Sequence, residues 1–292
     1  MRVLLLYASI VLIWGSTWFA ITFQLGEVPE EMSVAYRFGL ASIALFLYVI
    51  ASGRTTRIAR AGYKHIVIMG VLMYSMSYML VYHSTAFLPS GLVAVIFSLI
   101  VVINGIFERL FFGRPFEARM VLASAFGMSG IAFLFWPEVS TFEFEDRAIT
   151  GAAFATASVV IASLGNMAAI AATSRNVPLT TLNAHAMAWG AASSLIVSLL
   201  MGHSIRFSFE PAYVLSLLYL AILGSAIAFG AYLALLRSIG SARAAYTSVL
   251  FPIVALLIST LFENYRWSTA AFFGVLMIAA GNLLALTRIT RE

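Results

Sequence analysis

The chain has 292 residues, of which 62% are hydrophobic and only 10% are charged. A soluble protein uses about a quarter of its residues as charged side chains, so this composition excludes a soluble globular protein and predicts a membrane protein in a lipid bilayer. The absence of cysteine excludes disulfides, thiolate metal sites and cysteine nucleophiles. The 17 basic residues are scattered in short loops, so we attribute them to membrane orientation and expect no nucleic-acid partner.

Ten apolar stretches along the chain are each long enough to cross a membrane, since a spanning helix needs about 20 mostly apolar residues. The first stretch continues to Phe23 without a small-residue cleavage site, so we interpret it as a spanning helix rather than a cleaved signal. The sequence therefore predicts an all-α membrane protein with ten transmembrane helices. The predicted spans cover residues 3–23, 32–52, 65–84, 90–107, 119–136, 150–172, 180–201, 212–235, 243–262 and 268–287.

The basic residues are distributed unequally between the two sides of the predicted membrane domain. With ten spans both termini lie on one side, and that side carries thirteen Lys and Arg residues. The other side carries three, which are Arg147, Arg206 and Arg266. Because basic loops remain in the cytoplasm, we expect both termini to be cytoplasmic, in a bacterial-type inner (plasma) membrane.

The longest predicted connection, residues 137–148, divides the ten spans into two sets of five. We expect residues 1–136 and 149–292 to be repeats of one five-helix unit. Because five is an odd number, the second repeat begins on the opposite side of the membrane and is inverted. Inverted repeats with a site between them at the midplane are the recurring design of secondary transporters.

Short sequence matches occur in the same order in both halves. The pair Val28-Pro29 precedes the second span, and Val177-Pro178 precedes the seventh. Phe107-Glu108 ends the fourth span, and Phe262-Glu263 ends the ninth. Each match is weak alone, but their common order supports a duplication.

Three motifs resemble a known family: IWGSTWFAI in the first span, AYRFGLA in the second and GVLMIAAG in the last. Together with the repeated glutamate, they are similar to the EamA-type carriers of the drug/metabolite transporter superfamily. Within it, the chain resembles the YddG-type exporters of aromatic and other amino acids. The resemblance implies ten helices, cytoplasmic termini and export from the cytoplasm, and we expect the carrier to work as a monomer.

Several motifs of other protein classes are absent. The sequence has no P-loop, no HExxH and no paired aspartates that could hold magnesium. We therefore expect neither an enzyme nor an ATP-driven pump, and no catalytic residue, metal or cofactor. Every acidic side chain lies at or near the end of a predicted span, so we expect no buried carboxylate for ion coupling.

Arg37 is the one charge well inside a predicted span. It could pair with a substrate carboxylate, but we favour a structural arginine bonded to backbone carbonyls or to Glu30 or Glu31, because a charge in the membrane needs a partner. His83 and His185 also lie within spans. Either could sense protons or hold a carboxylate, and a neutral histidine bonded across helices explains them equally well.

A stripe of tyrosines marks the third span, where Tyr74, Tyr78 and Tyr82 recur four residues apart. Residues at this spacing share a helical face, and a phenol in hydrocarbon needs a partner. Either the stripe joins helices or it lines a water-filled cavity, and we prefer the cavity. The predicted substrate-binding residues are Trp14, Thr17, Trp18, Tyr74, Tyr78, Tyr82, His83, Ser163, Asn166, His185, Trp189, Tyr246 and Ser248.

The leading functional hypothesis is a secondary transporter that exports amino acids or similar small metabolites by alternating access. An exporter of cationic drugs is an alternative, but it calls for a buried acid. A nucleotide-sugar carrier calls for several basic residues in the cavity, and only Arg37 is present. A membrane enzyme acting on lipids would need a metal or carboxylate cluster at one interface, and the sequence offers none.

Overall fold

The structure is a computed structural model. It describes residues 2–58, 60–88, 93, 96–97, 99–114, 118–134, 146–173, 177–251, 253–254, 257–258 and 268–286, and all regular secondary structure in these residues is helical. The first half contains α1 (Arg2–Thr22), α2 (Glu30–Ala51), α3 (Arg60–Val71), α4 (Ser77–Thr85), α5 (Ile100–Phe112) and α6 (Ala118–Leu134). The second half contains α7 (Asp146–Thr173), α8 (Leu179–Leu200), α9 (Pro211–Ala221), α10 (Ala228–Ile239), α11 (Ser241–Ala245) and α12 (Thr269–Leu286).

Two of the spans are interrupted by a π-helical turn. The turn Leu72–Met76 joins α3 to α4, and the turn Ile222–Ile227 joins α9 to α10. A third irregular segment, the 3₁₀ helix Tyr246–Leu250, follows α11 directly. Such turns are rare and often mark functional sites, and the apolar pattern of the sequence did not predict them.

Five helical segments in the described residues are long and apolar enough to cross a membrane, and they coincide with predicted spans one, two, three, six and eight. α6 and α12 carry shorter apolar stretches. α8 has 22 residues but is not among the five, and its amide and hydroxyl side chains make it more polar. Spans four and nine include residues outside the described part. Because five described segments can span a membrane, the chain is a multi-pass membrane protein, and its described regular secondary structure is all helical. The five segments are Val3–Thr22, Glu30–Ala51, Gly62–Thr85, Ile149–Thr173 and Pro211–Ile239.

Two helix pairs make the most extensive contacts, α2 with α8 and α6 with α12. Small residues allow the second pair to approach closely. A Cβ atom at Gly130 would lie 2.7 Å from the carbonyl oxygen of Gly274, and one at Gly281 would lie 2.8 Å from that of Ala123. Glycine is therefore required at this crossing for steric reasons.

The remaining contacts run mainly between the two halves. α1 packs against α9 and α10, whereas α7 packs against α3 and α4. α2 contacts the π-turn Ile222–Ile227, and α8 contacts the π-turn Leu72–Met76. The central core, which includes Phe38, Tyr74 and Phe229, is built from helices of both halves.

Candidate functional site

A cavity lined by residues of both halves lies at the junction between them. Its described wall is mainly apolar and aromatic, and it carries no charged side chain. Hydroxyl and amide groups interrupt this surface at a few positions. The lining residues are Trp14, Thr17, Ile21, Met73, Ser77, Tyr78, Val81, Phe97, Ile100, Ala162, Asn166, Phe229, Tyr232, Ala245, Thr247, Ser248 and Phe251.

Five of the predicted substrate-binding residues line this cavity: Trp14, Thr17, Tyr78, Asn166 and Ser248. The indole Nε1 of Trp14 donates a hydrogen bond of 2.9 Å to a backbone carbonyl in the π-turn Ile222–Ile227. Thr17 and Ser248 donate to backbone carbonyls of their own helical turns. These hydroxyls keep lone pairs that can accept a hydrogen bond from a ligand.

Arg37 lies directly behind one wall of the cavity. Its side chain is buried, and the guanidinium carbon lies 4.7 Å from the centre of the Tyr78 ring. Its Nε donates to the Ser225 hydroxyl at 2.9 Å, rather than to the carboxylates suggested by the sequence. A cation over a tyrosine ring is stabilised by the ring quadrupole, so Arg37 fixes Tyr78 in the wall.

Tyr74 and Tyr82, the other two tyrosines of the predicted stripe, are buried and are not among the residues that line this cavity. The Tyr74 hydroxyl donates to Asn183 Oδ1 at 2.7 Å, which joins the first π-turn to α8. Both Tyr74 and Tyr78 pack their rings against Phe38. The stripe therefore faces α2 and α8, and only Tyr78 reaches the cavity.

His185 and Trp189 are also absent from the lining residues. They belong to a cluster at the start of α8, where His185 Nε2 donates to the Thr56 carbonyl at 2.8 Å. The other ring nitrogen then accepts from the Tyr63 hydroxyl at 3.2 Å. Trp189 Nε1 donates to the same hydroxyl. These partners satisfy both side chains and tie α8 to the segment after α2.

His83 lies outside the cavity wall because it binds a buried carboxylate. Its Nε2 is 2.7 Å from Glu31 Oε1, and Glu31 is 1% exposed. Glu108 is also buried. The expectation of no buried carboxylate is therefore wrong: both acids lie near span ends, but neighbouring helices and loops cover them.

Three further predicted residues do not reach the cavity or cannot be placed there. Ser163 is buried within α7 and is not a lining residue. Tyr246 is buried in a second apolar cluster with Val101 and Ile278. The side chain of Trp18 lies outside the described residues.

A chain of hydrogen bonds, which we call the polar relay, leads from the cavity wall to a helix end. Tyr232 donates to Asn166 Oδ1 at 3.1 Å, and Asn166 Nδ2 donates to Asn104 Oδ1 at 3.3 Å. Asn104 makes a longer contact of 3.5 Å to the Ser241 carbonyl. The Ser241 amide and hydroxyl both donate to Glu108 Oε1.

The sequence patterns did not predict several of the residues that line the cavity. Tyr232 follows Tyr82 by 150 residues, close to the spacing of the two Val-Pro pairs, so the repeat alignment could have indicated it. Ser77 and Thr247 also line the cavity, but each is an isolated hydroxyl residue that belongs to no repeating pattern in the sequence. Phe229 and Phe251 look like ordinary packing residues in a membrane helix, and no sequence signal separates them.

The cavity offers shape, aromatic surface and uncharged hydrogen-bonding groups, and its described wall has no acid or base that could act on a bound molecule. A multi-pass helical protein with such an internal cavity belongs to the class of membrane transporters. The EamA-like transporter family matches residues 1–136 and 149–287, and the chain belongs to this family. This membership confirms that the protein is a transporter rather than an enzyme.

Two relatives cover most of the chain. One, named "Uncharacterized transporter YoaV", from Bacillus subtilis, is 22% identical over 284 residues, which are 96% of this chain and 95% of that protein. Another, named "Uncharacterized inner membrane transporter YedA", from Escherichia coli, is 26% identical over 255 residues, or 86% of this chain and 80% of that protein. A crystal structure with 18% identity covers 99% of this chain and 98% of its own with a TM-score of 0.80, so the fold is shared.

Proposed function

We propose that this protein exports amino acids or similar small metabolites from the cytoplasm by alternating access, with the cavity as the substrate site. The observation that carries the proposal is the uncharged, aromatic and hydroxyl-bearing wall between the two halves. A zwitterionic amino acid has no net charge, and uncharged polar groups can hydrogen-bond its carboxylate and its ammonium group, whereas a buried cation or polyanion calls for opposite charges in the wall. Its side chain would pack on the aromatic wall.

The substrate contacts follow from the positions of the polar groups. Tyr78 and Asn166 line the cavity from two neighbouring helices, α4 and α7. We assign Tyr78, supported by Arg37 behind it, to the substrate carboxylate, because a donor beside a cation makes the stronger hydrogen bond to an anion. The ring of Trp14, whose centroid lies 4.7 Å from that of the Phe229 ring, would contact the substrate side chain.

Alternating access requires two units that move against each other, and we propose residues 1–136 and 149–292 as inverted five-helix repeats within a ten-helix bundle. The contacts between the two halves support this layout. α1 packs on the second-half span that contains the π-turn Ile222–Ile227, and α7 packs on the first-half span that contains the π-turn Leu72–Met76. The π-turns themselves begin 150 residues apart, at Leu72 and Ile222. Corresponding elements of two related units would make corresponding contacts.

We also propose that the protein resides in the inner membrane with both termini in the cytoplasm. The basic residues favour this orientation, because thirteen lie on the side of the termini and three on the other. The name of the Escherichia coli relative includes the inner membrane. Export then runs from the end bearing Glu108 towards the end bearing Glu31.

The competing substrate classes fit the cavity less well. A cationic drug calls for a buried acid in the wall, and a nucleotide sugar calls for several Lys or Arg residues. The described wall contains neither. Amino acids therefore remain the first class to test.

Uptake of radiolabelled amino acids into proteoliposomes containing the purified protein tests this proposal. We expect saturable uptake of aromatic and large apolar amino acids, reduced in Tyr78→Ala. Tyr74→Phe, one turn away and outside the cavity wall, is the matched control and should transport normally. Absence of uptake for every amino acid, with and without a pH gradient, would remove this substrate class and leave the transporter family assignment intact.

A further inference from the structure

A buried carboxylate lies between two imidazoles at the end of the molecule where α2 begins. Glu31 is 1% exposed, and its Oε1 lies 2.7 Å from His83 Nε2. Its Oε2 lies 3.5 Å from Nδ1 of His203, in the loop after α8. Glu30 is adjacent, and one ligand atom from each of Glu30, Glu31 and His83 lies within 4.8 Å of the others. Glu30, Glu31 and His83 thus form one group of potential metal ligands, and His203 approaches this group through Glu31.

Two atoms of this cluster are buried and have no hydrogen-bond partner among the described residues: Glu31 Oε2 and His203 Nδ1. Leaving buried polar atoms unpaired is unfavourable. Their separation of 3.5 Å exceeds the usual range for an N–H···O hydrogen bond. Two ligands of a tetrahedral zinc ion, with bonds of about 2.1 Å, lie roughly 3.4 Å apart. The spacing between Glu31 and His203 therefore matches a pair of metal ligands, whereas His83 and Glu31 lie at hydrogen-bond distance and must move apart slightly to bind an ion.

We propose that Glu31, His83 and His203 bind a divalent transition-metal ion of the Zn²⁺ type, with Glu30 as a fourth ligand. Imidazole nitrogen with carboxylate oxygen is a ligand set that suits zinc. Ca²⁺ and Mg²⁺ prefer oxygen ligands alone, so the two histidines select against them. The side chains of His83 and His203 are 29% and 36% exposed, which gives an ion access from solvent.

The metal site is separate from the proposed substrate site, because none of its four residues is among those that line the cavity. A bound ion would hold α2, the end of α4 and the loop after α8 together. Val81 of the cavity wall lies on α4, two residues before His83. Metal binding therefore restrains a helix that must move if the cavity opens at this end, and it should slow transport.

Calorimetric titration of the purified, chelator-treated full-length protein with ZnCl₂ tests the site. We expect one Zn²⁺ per chain and no binding of MgCl₂ at the same concentrations. His83→Gln and His203→Gln should each weaken Zn²⁺ binding by at least about tenfold. Even the loss of a residue that only hydrogen-bonds to a metal ligand typically weakens binding by that factor. His185→Gln is the matched control, because this histidine bonds to Thr56 and Tyr63 at the other end of α8.

A second measurement separates loss of the site from loss of the fold. Gel filtration and the metal-free melting temperature identify variants that remain folded, and His203→Gln should be among them because its side chain is partly exposed in a loop. ZnCl₂ should raise the melting temperature of the wild type and of His185→Gln, but not of His203→Gln. Absence of Zn²⁺ binding by the wild type, or equal binding by all variants, would overturn the proposal.

Discussion

Tyr74 and Tyr78 lie one helical turn apart and share Phe38 as a neighbour, yet their side chains meet different surroundings. Tyr74 is sealed between helices and bonded to Asn183, whereas Tyr78 borders the cavity. Their spacing in the sequence predicts a common face, and the packing of α8 decides which residue is covered. Sequence periodicity therefore identified a helix that lines the cavity, but it could not separate a tyrosine packed between helices from one that borders the cavity.

This difference predicts opposite phenotypes for two conservative changes. Tyr74→Phe leaves Asn183 Oδ1 without its partner, so we expect a loss of about 1–3 kcal/mol in stability and normal transport. Tyr78→Phe keeps the ring over Arg37 but removes a cavity hydroxyl. If that hydroxyl contributes about 1.4 kcal/mol, apparent substrate affinity falls tenfold. Thermal unfolding in detergent and proteoliposome uptake measure the two effects; normal affinity in Tyr78→Phe would contradict its assignment.

Asn166 is the residue where the cavity meets the polar relay. Asn166→Leu leaves Tyr232 and Asn104 without their amide partner, which we expect to cost roughly 1–3 kcal/mol for each buried group left unpaired and to abolish transport. Asn183→Leu is the matched comparison, since Asn183 is equally buried but bonds to Tyr74 outside the cavity wall. Its stability should fall while transport at low temperature persists, and equal transport by both variants would argue against a role for Asn166.

At the scale of elements, Glu108 connects the end of α5 to the start of α11. Its Oε1 accepts hydrogen bonds from the amide and the hydroxyl of Ser241, and its Oε2 lies 3.0 Å from Arg114 Nη1. A carboxylate at a helix N-terminus is stabilised by the unpaired amides there. The contact ties α5 to α11 at the end of the polar relay.

The two contacts of Glu108 should differ in strength. Glu108→Ala leaves the Ser241 donors buried and unpaired, so we expect a loss of roughly 1–3 kcal/mol in stability. Arg114 is half exposed at 47%, and an exposed ion pair contributes at most about 1 kcal/mol. Arg114→Ala should therefore change the melting temperature little. A larger loss of stability in Arg114→Ala than in Glu108→Ala would show that the hydrogen bonds between Glu108 and Ser241 contribute little to stability.

Glycines at helix crossings give a second prediction at this scale. A Cβ at Gly190 would lie 2.6 Å from the Cβ of Tyr74, whereas one at Gly230 would have no neighbour within 4 Å. Gly190→Ala should destabilise the protein by about 1–3 kcal/mol through overpacking. Gly230→Ala should stabilise it by up to about 1 kcal/mol, because alanine has the higher helix propensity. The melting temperatures should move in opposite directions, and a shared direction would contradict the packing between α8 and the first π-turn.

At the scale of the whole molecule, composition and hydropathy were sufficient to predict an all-helical membrane protein. The lipid around a spanning helix requires apolar side chains, so composition and hydropathy carry this signal in every span. The π-turns were not predictable, because they depend on how helices of the two halves pack. The burial of Glu31 was missed for a similar reason: its covering histidine, His203, is 172 residues away in the sequence.

The orientation of the protein is open to direct measurement because the chain contains no cysteine, so single introduced cysteines label without background. Ser204→Cys and Arg54→Cys replace exposed loop residues at opposite ends of the bundle. If both termini are cytoplasmic, a membrane-impermeant maleimide should label Ser204→Cys in intact cells and Arg54→Cys only after permeabilisation. The reverse pattern would place the termini outside.

The paired π-turns also bear on the ancestry of the chain. A π-turn holds one residue more than the α-helical turn it replaces, so it corresponds to a single inserted codon. The π-turns begin at Leu72 and Ile222, after a similar number of residues in each span. If the halves descend from one five-helix gene, as we propose, a single insertion before the duplication explains both. The extra residue would then be older than the ten-helix protein.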